Sequence, residues 1–128
     1  MTQELWIPGP LPSLNELIGA AKGAGGTGRA YAALKRLWGE TVWAYAKKAK
    51  LTKADSPAHI SFVWREKNKR RDLDNISGGG QKLILDGLVK AGVLENDGWE
   101  HVFSIEHRFQ VDAKNPGVLV HISPACPF

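Results

Sequence analysis

Alternating apolar and polar positions predict β-strands in four parts of the chain. Residues 57–65, PAHISFVWR, place Ile60, Phe62 and Trp64 on one side of an extended segment. The other three predicted strands lie at 3–7, near 100–110 and near 117–123. The last two are joined by a turn at KNPG.

Helical spacing of apolar residues predicts two main helices. The first runs from Ala30 to about Lys50 and carries many basic residues between its apolar ones. Its polar side is either a solvated face or a DNA-facing surface, and the pattern favours neither. The second runs from about Gln81 to Ala91, with Gly92 as its terminator.

The order strand, helix, strand, helix, strand, strand predicts one α+β domain over residues 1–128, with a small mixed sheet and two helices packed against it. The prolines of PGPLPSLNE should end the first strand, because proline cannot donate to the hydrogen-bond ladder. Glycine-rich residues 22–29 should form a mobile loop that orders on DNA.

Composition narrows the class of protein. The chain has 128 residues, of which 43% are hydrophobic, as in one packed domain. No apolar run is long enough to span a bilayer, so we expect no membrane partner. A single cysteine, Cys126, excludes an internal disulfide and favours a cytoplasmic location. The five tryptophans should lie mostly in the core.

A net charge of +4 favours a polyanionic partner without requiring one. The basic residues cluster in REKNKRR, which begins at Arg65 and ends at Arg71. Its five cations are predicted to contact DNA phosphates: Arg65, Lys67, Lys69, Arg70 and Arg71. The alternative is a solvated charged loop.

Aspartates follow this cluster directly. Asp72 and Asp74 would face one point in an extended backbone, and a return loop after the second helix would bring Asp97 back to them. Lys82 and Asp86 should share a helix face. Because converging carboxylates repel one another, they need a cation, and oxygen ligands suit Mg²⁺ or Mn²⁺.

Other interpretations of these residues are weaker. An EF-hand loop would need glycine at Ser77 and glutamate at Leu83, and a P-loop would need Ser or Thr at Leu83. The basic surroundings disfavour a glycosidase. Asp72 and Asp74 could instead form a turn and pair with Arg70 and Arg71. The four histidines lack ligand spacing and are expected on strands.

The same segment resembles the RusA family of Holliday junction resolvases. The resemblance rests on RRDLDN, on K-x-x-x-D-G-L from Lys82 to Leu88, and on G-V-L-x-N-D from Gly92 to Asp97. The opening PGPLPSLNE, which contains Asn15, is also similar to the family's proline-rich opening.

This resemblance implies a homodimer that uses Mg²⁺ to make paired, symmetric nicks in four-way DNA junctions. It implies catalytic roles for Asp72, Asp74, Lys82 and Asp97, and DNA contact by Asn15. Asp86 would bind metal or orient Lys82. A flap or branched-DNA nuclease, a non-catalytic branched-DNA-binding protein and a structural protein with an incidental basic face remain alternatives.

The chain departs from the family pattern in the residues ISGGGQ, which are extra between Asn75 and Lys82. They should delay the helix or add a flexible loop. Asn96 also stands where an acidic residue is frequent.

Overall fold

Strand β2, Ala58–Glu66, buries every second residue, and the rest of the fold is built on this alternation. The computed structural model describes residues 2–22 and 28–124. In chain order its elements are β1 (Gln3–Pro8), α1 (Leu14–Lys22), α2 (Arg29–Lys48), β2, α3 (Leu73–Lys90), β3 (Val102–Val111) and β4 (Gly117–Pro124). The predicted α+β class and element order are confirmed, with α1 as an additional helix.

The sheet is mixed, in the order β1-β4-β2-β3. Strand β3 is parallel to β2, whereas β4 is antiparallel to both β1 and β2. A row of paired residues crosses it, from Leu5 through Val120 and Phe62 to His107. The first three are fully buried under the helices, so the core covers one face of the sheet.

Helix α1 begins with a capping box that the sequence contains but our prediction missed. The Glu16 N–H donates to the Ser13 hydroxyl at 3.1 Å, and the Ser13 N–H donates to the Glu16 carboxylate at 3.4 Å. The pattern S-x-x-E was the available signal. Strand β1 ends at Pro8, as the prolines predicted.

Helix α3 begins at Leu73, not near Gln81, so the predicted delay or flexible loop at the glycine run is wrong. Its glycines are packing positions. A Cβ on Gly79 would lie 2.3 Å from the Pro12 carbonyl oxygen, and one on Gly80 would lie 2.6 Å from the Trp64 ring. Close packing of buried surface therefore outweighs the poor helix propensity of glycine.

Three other expectations concern the glycine-rich loop with Cys126, the tryptophans and membrane-spanning helices. Residues 23–27 of the predicted mobile loop, and Cys126, lie outside the described residues. Among the five tryptophans only Trp64 is buried, and Trp99 is 95% exposed, so the expectation of mostly core tryptophans is wrong. In the ranges that the structure describes, no helix is both long and apolar enough to cross a membrane.

We predict that two neighbouring alanine substitutions in α3 change the stability of the fold differently. Gly79→Ala should lower the free energy of unfolding by about 1–3 kcal/mol, because the new methyl meets backbone atoms that cannot move aside. Gly78→Ala is the matched control. Its methyl would meet only the Leu14 side chain, with Cδ2 nearest at 3.3 Å, so the substitution should be neutral or stabilising by up to about 1 kcal/mol. Urea denaturation measures both, and equal effects would contradict this packing.

Candidate functional site

Asp72 and Asp74 lie at the start of α3. Asp72 is the residue before its first turn, with extended backbone angles of φ −70° and ψ 152°, and Asp74 lies within that turn. Both are exposed, at the end of the helix where the helix dipole favours negative charge. The expectation of an extended segment through both residues is wrong, because α3 begins at Leu73, between them.

Lys82 bridges two carboxylates further along α3. Its ammonium group lies 3.1 Å from an Asp86 oxygen and 3.3 Å from an Asp97 oxygen. The predicted shared face of Lys82 and Asp86 is confirmed. The hydrogen bond to Asp86, followed by the one to Asp97, raises the pKa of Lys82, so this side chain is a stable cation. Lys35 also lies 3.7 Å from Asp86.

These two groups of carboxylates are separate in a single chain. At 1.5 Å per residue, Lys82 lies about 12 Å beyond Asp74 along the helix axis. Among the described residues, no group of three or more His, Cys, Asp or Glu side chains is placed to hold a metal ion. The expected convergence of Asp97 on Asp72 and Asp74 is therefore not found within one chain, because the helix starts earlier than predicted.

Arg71 occupies a different environment from the rest of the basic cluster. Its guanidinium group donates to Glu66, which is 8% exposed, at 3.2 Å and to the Leu11 carbonyl oxygen at 2.8 Å. Glu16 lies 3.6 Å away. Arg71 therefore ties the proline-rich opening to the residues before α3 and pairs with glutamates rather than with Asp72 or Asp74.

The other predicted DNA-binding residues lie nearer the surface. Lys67, Lys69 and Arg70 are exposed, and Arg65 packs its guanidinium over the Trp6 ring, 5.4 Å from the centroid. Asn15 is exposed in α1, and its backbone N–H donates to the Asn75 side chain at 2.9 Å. The two segments that carry the family resemblance thus meet in space.

A groove of about 670 Å³ lies between the start of α3 and β3. Its lining combines charged and apolar residues, among them Lys69, Asp72, Leu73, Phe109 and Val111. Asp72 therefore faces β3, whereas Asp97 lies in a second groove, of about 390 Å³, beside the beginning of that strand.

His107 forms a hydrogen-bond chain that sequence reasoning missed. The Trp64 indole N–H donates to Nδ1 of His107 at 2.9 Å, so Nε2 carries the ring proton and donates to Gln81 at 2.8 Å. Burial lowers the pKa of His107, which keeps the ring neutral. His59, His107 and His121 lie on strands as expected, and His101 directly precedes β3.

Searches of known protein families and of curated proteins find no match to this chain. The resemblance to RusA therefore rests on the residues quoted above.

His107 should make stability depend on pH. The unfolded chain protonates this histidine at a pH of about 6.5, whereas the folded protein resists it, so stability should fall as the pH drops below that value. His107→Gln keeps an acceptor for Trp64 but cannot titrate. The measurement is the free energy of unfolding from pH 7.5 to pH 5. An unchanged slope in the variant would show that His107 titrates normally.

Proposed function

We propose that this protein is a Mg²⁺-dependent endonuclease that nicks four-way or branched DNA during recombination and repair, as RusA resolvases do. The observation that carries the proposal is the set of acidic residues on and around α3. Asp74 and Asp86 belong to this helix, Asp72 directly precedes it, and Lys82 holds Asp97 against it. Exposed cations directly precede the helix, and carboxylates beside a cationic surface suit a phosphodiester enzyme.

The carboxylates suit a divalent cation in their chemistry. The oxygens of Asp86 and Asp97 already surround one positive charge, the Lys82 ammonium. Asp72 and Asp74 are exposed oxygen donors at the helix start. Each of the two pairs would offer carboxylate oxygens to Mg²⁺, or to Mn²⁺ in its place. A bound ion would supply charge that activates water and stabilises the leaving oxygen of a phosphodiester.

The remaining side chains have separate roles in this proposal. Lys82 donates hydrogen bonds to the phosphate as negative charge develops on it, and Asp86 keeps the Lys82 side chain in position. Lys67, Lys69 and Arg70 bind the DNA backbone, which gives affinity without base preference. Arg71 has a structural role, because its guanidinium group donates hydrogen bonds to Glu66 and to the Leu11 carbonyl oxygen.

The separation of the carboxylates favours one alternative, a branched-DNA-binding protein without catalysis. In a single chain, Lys82 already compensates Asp86 and Asp97, so these carboxylates have less need of a metal ion. Such a protein would bind a four-way junction tightly and leave it intact in any divalent cation.

Asp74→Asn should abolish nicking of a labelled four-way junction in Mg²⁺, lowering the rate by at least about a hundredfold, because a metal ligand is lost. Asp55→Asn removes an exposed aspartate before β2 and serves as the control, with cleavage expected at the wild-type rate. Equal cleavage by the two variants would remove Asp74 from the site. Flap and linear duplex substrates, tested alongside, measure the selectivity for junctions.

Lys69→Ala should weaken junction binding and reduce the slope of log affinity against log salt by about 1, as expected for the loss of one phosphate contact. Lys53→Ala is the control, because it removes a lysine at the opposite end of β2 from the basic cluster. Lys53 precedes this strand and pairs with Glu95 at 3.7 Å, whereas Lys69 follows the strand. Fluorescence anisotropy over a salt series gives both slopes. An unchanged slope for Lys69→Ala would leave the cluster as a solvated loop.

A further inference from the structure

A third groove, of about 330 Å³, lies where α1, α2 and α3 meet. Leu14, Leu17 and Ile18 of α1 line it with apolar side chains. Tyr31 of α2 adds an aromatic ring, and Lys82 of α3 adds a cation. Leu14 is 38% exposed and Ile18 is 43% exposed, so the packing of the three helices leaves this apolar surface accessible. A concave, mostly apolar surface with a few polar groups is typical of a ligand site.

The groove lies between two candidate site residues on α3. Asp74, Gly78 and Lys82 follow one another at intervals of four residues, so they lie along one side of the helix. Gly78 lines the groove and brings no side chain to it. A Cβ on Gly78 would lie 3.3 Å from the Leu14 side chain, on the wall of the same groove. A DNA strand that contacts both Asp74 and Lys82 therefore crosses this apolar surface.

Cations lie beside the groove. The ammonium groups of Lys35 and Lys82 both contact Asp86, at 3.7 Å and 3.1 Å. Lys22 is exposed in the last turn of α1. Among the described residues, these three ammonium groups outnumber the carboxylates that they contact, Asp86 and Asp97. The surroundings of the groove are therefore suited to a ligand that combines an apolar part with negative charge.

The Tyr31 ring is held beside one of these cations. The Lys35 ammonium group lies 5.5 Å from the centroid of the ring, one helix turn away. Tyr31 is half-buried, so part of its ring stays accessible from the groove. Because Lys35 also contacts Asp86, one side chain connects the ring to the candidate site. An aromatic ring in a positively charged groove is the arrangement that stacks on nucleobases, since every base has a flat π face.

We propose that this groove takes one unstacked nucleobase of the bound DNA strand, which stacks on Tyr31 while neighbouring phosphates contact Lys35 and Lys82. This inference rests on the proposed function, because Lys82 belongs to both sites. A groove of about 330 Å³ suits a single base and excludes a duplex. Unstacking a base costs least where its pairing is already disturbed, as at a branch point. The groove therefore favours branched DNA over linear duplex.

Tyr31→Ala should weaken binding of a four-way junction by about fivefold or more, because the stacking contact is lost. Tyr31→Phe keeps the ring and should bind as the wild type does. Trp43→Ala is the control, because it removes another exposed aromatic ring of α2 that does not line the groove. Fluorescence anisotropy in EDTA measures affinity without nicking, and urea denaturation checks each fold. Equal affinities of Tyr31→Ala and Trp43→Ala would overturn the proposal.

A second measurement separates stacking from a change in structure. Abasic sites are placed one at a time on either side of the branch point, and Tyr31→Ala is compared with the wild type on each junction. The loss of affinity caused by Tyr31→Ala should disappear at the position whose base enters the groove, because the ring has no base to stack on there. A loss by the same factor at every position would show that the ring contacts no base.

The wild-type protein provides a test that needs no variant. 5-Iodouracil, placed at the same positions and irradiated with long-wavelength light, should crosslink at one position to Tyr31. Mass spectrometry should find this crosslink in the tryptic peptide 30–35, in which Tyr31 is the only aromatic residue. Crosslinks confined to other peptides would overturn the proposal.

These outcomes are separable from failure of the proposed function. Tyr31-dependent junction binding without nicking in Mg²⁺ would support the base site and reject the nuclease. Nicking by a Tyr31→Ala protein of wild-type affinity would reject the base site alone, and a wild type that does not bind junctions would reject both. If Tyr31→Ala lowers the mass in sedimentation but leaves junction affinity unchanged, the groove is covered by a second chain and the base site is rejected.

Discussion

The close approach of α3 to its neighbours at Gly79 and Gly80 is the constraint on which the rest of the structure depends. These residues let the helix backbone contact the Pro12–Ser13 segment on one side and the Trp64 ring on the other. Any side chain there would push the helix away from the sheet. Because α3 carries Asp74, Lys82 and Asp86 and begins directly after Asp72, this packing fixes the position and rotation of the helix that presents these residues.

The charged residues near α3 form two ion-pair networks, one shielded from solvent and one more exposed. Arg71 and Glu66 form an ion pair in a shielded position, and Arg71 ties the opening segment to the start of α3. Lys82, Asp86 and Asp97 form the second network, which is more exposed and closes the loop after α3 onto the helix. Lys67, Lys69 and Arg70 belong to neither network and stay exposed.

The edge strand β3 lies beside the two grooves that contain Asp72 and Asp97. The core row that begins at Leu5 ends at His107, whose ring is polar but is satisfied by Trp64 and Gln81. Beyond it the helices no longer cover the sheet, and both grooves open along β3. Within one chain the two grooves keep Asp72 and Asp97 beside opposite ends of this strand.

The sequence by itself determined the strands, the α+β class and the shared face of Lys82 and Asp86, because these depend on local periodicity. The start of α3 and the pairing of Arg71 with Glu66 and Leu11 were decided by tertiary structure. Glycine propensity argues against a helix at Gly79 and Gly80, and only their contacts with Pro12 and Trp64 reverse that preference. The separation of Asp97 from Asp72 has the same origin, since the longer helix carries Lys82 and its partner away from the helix start.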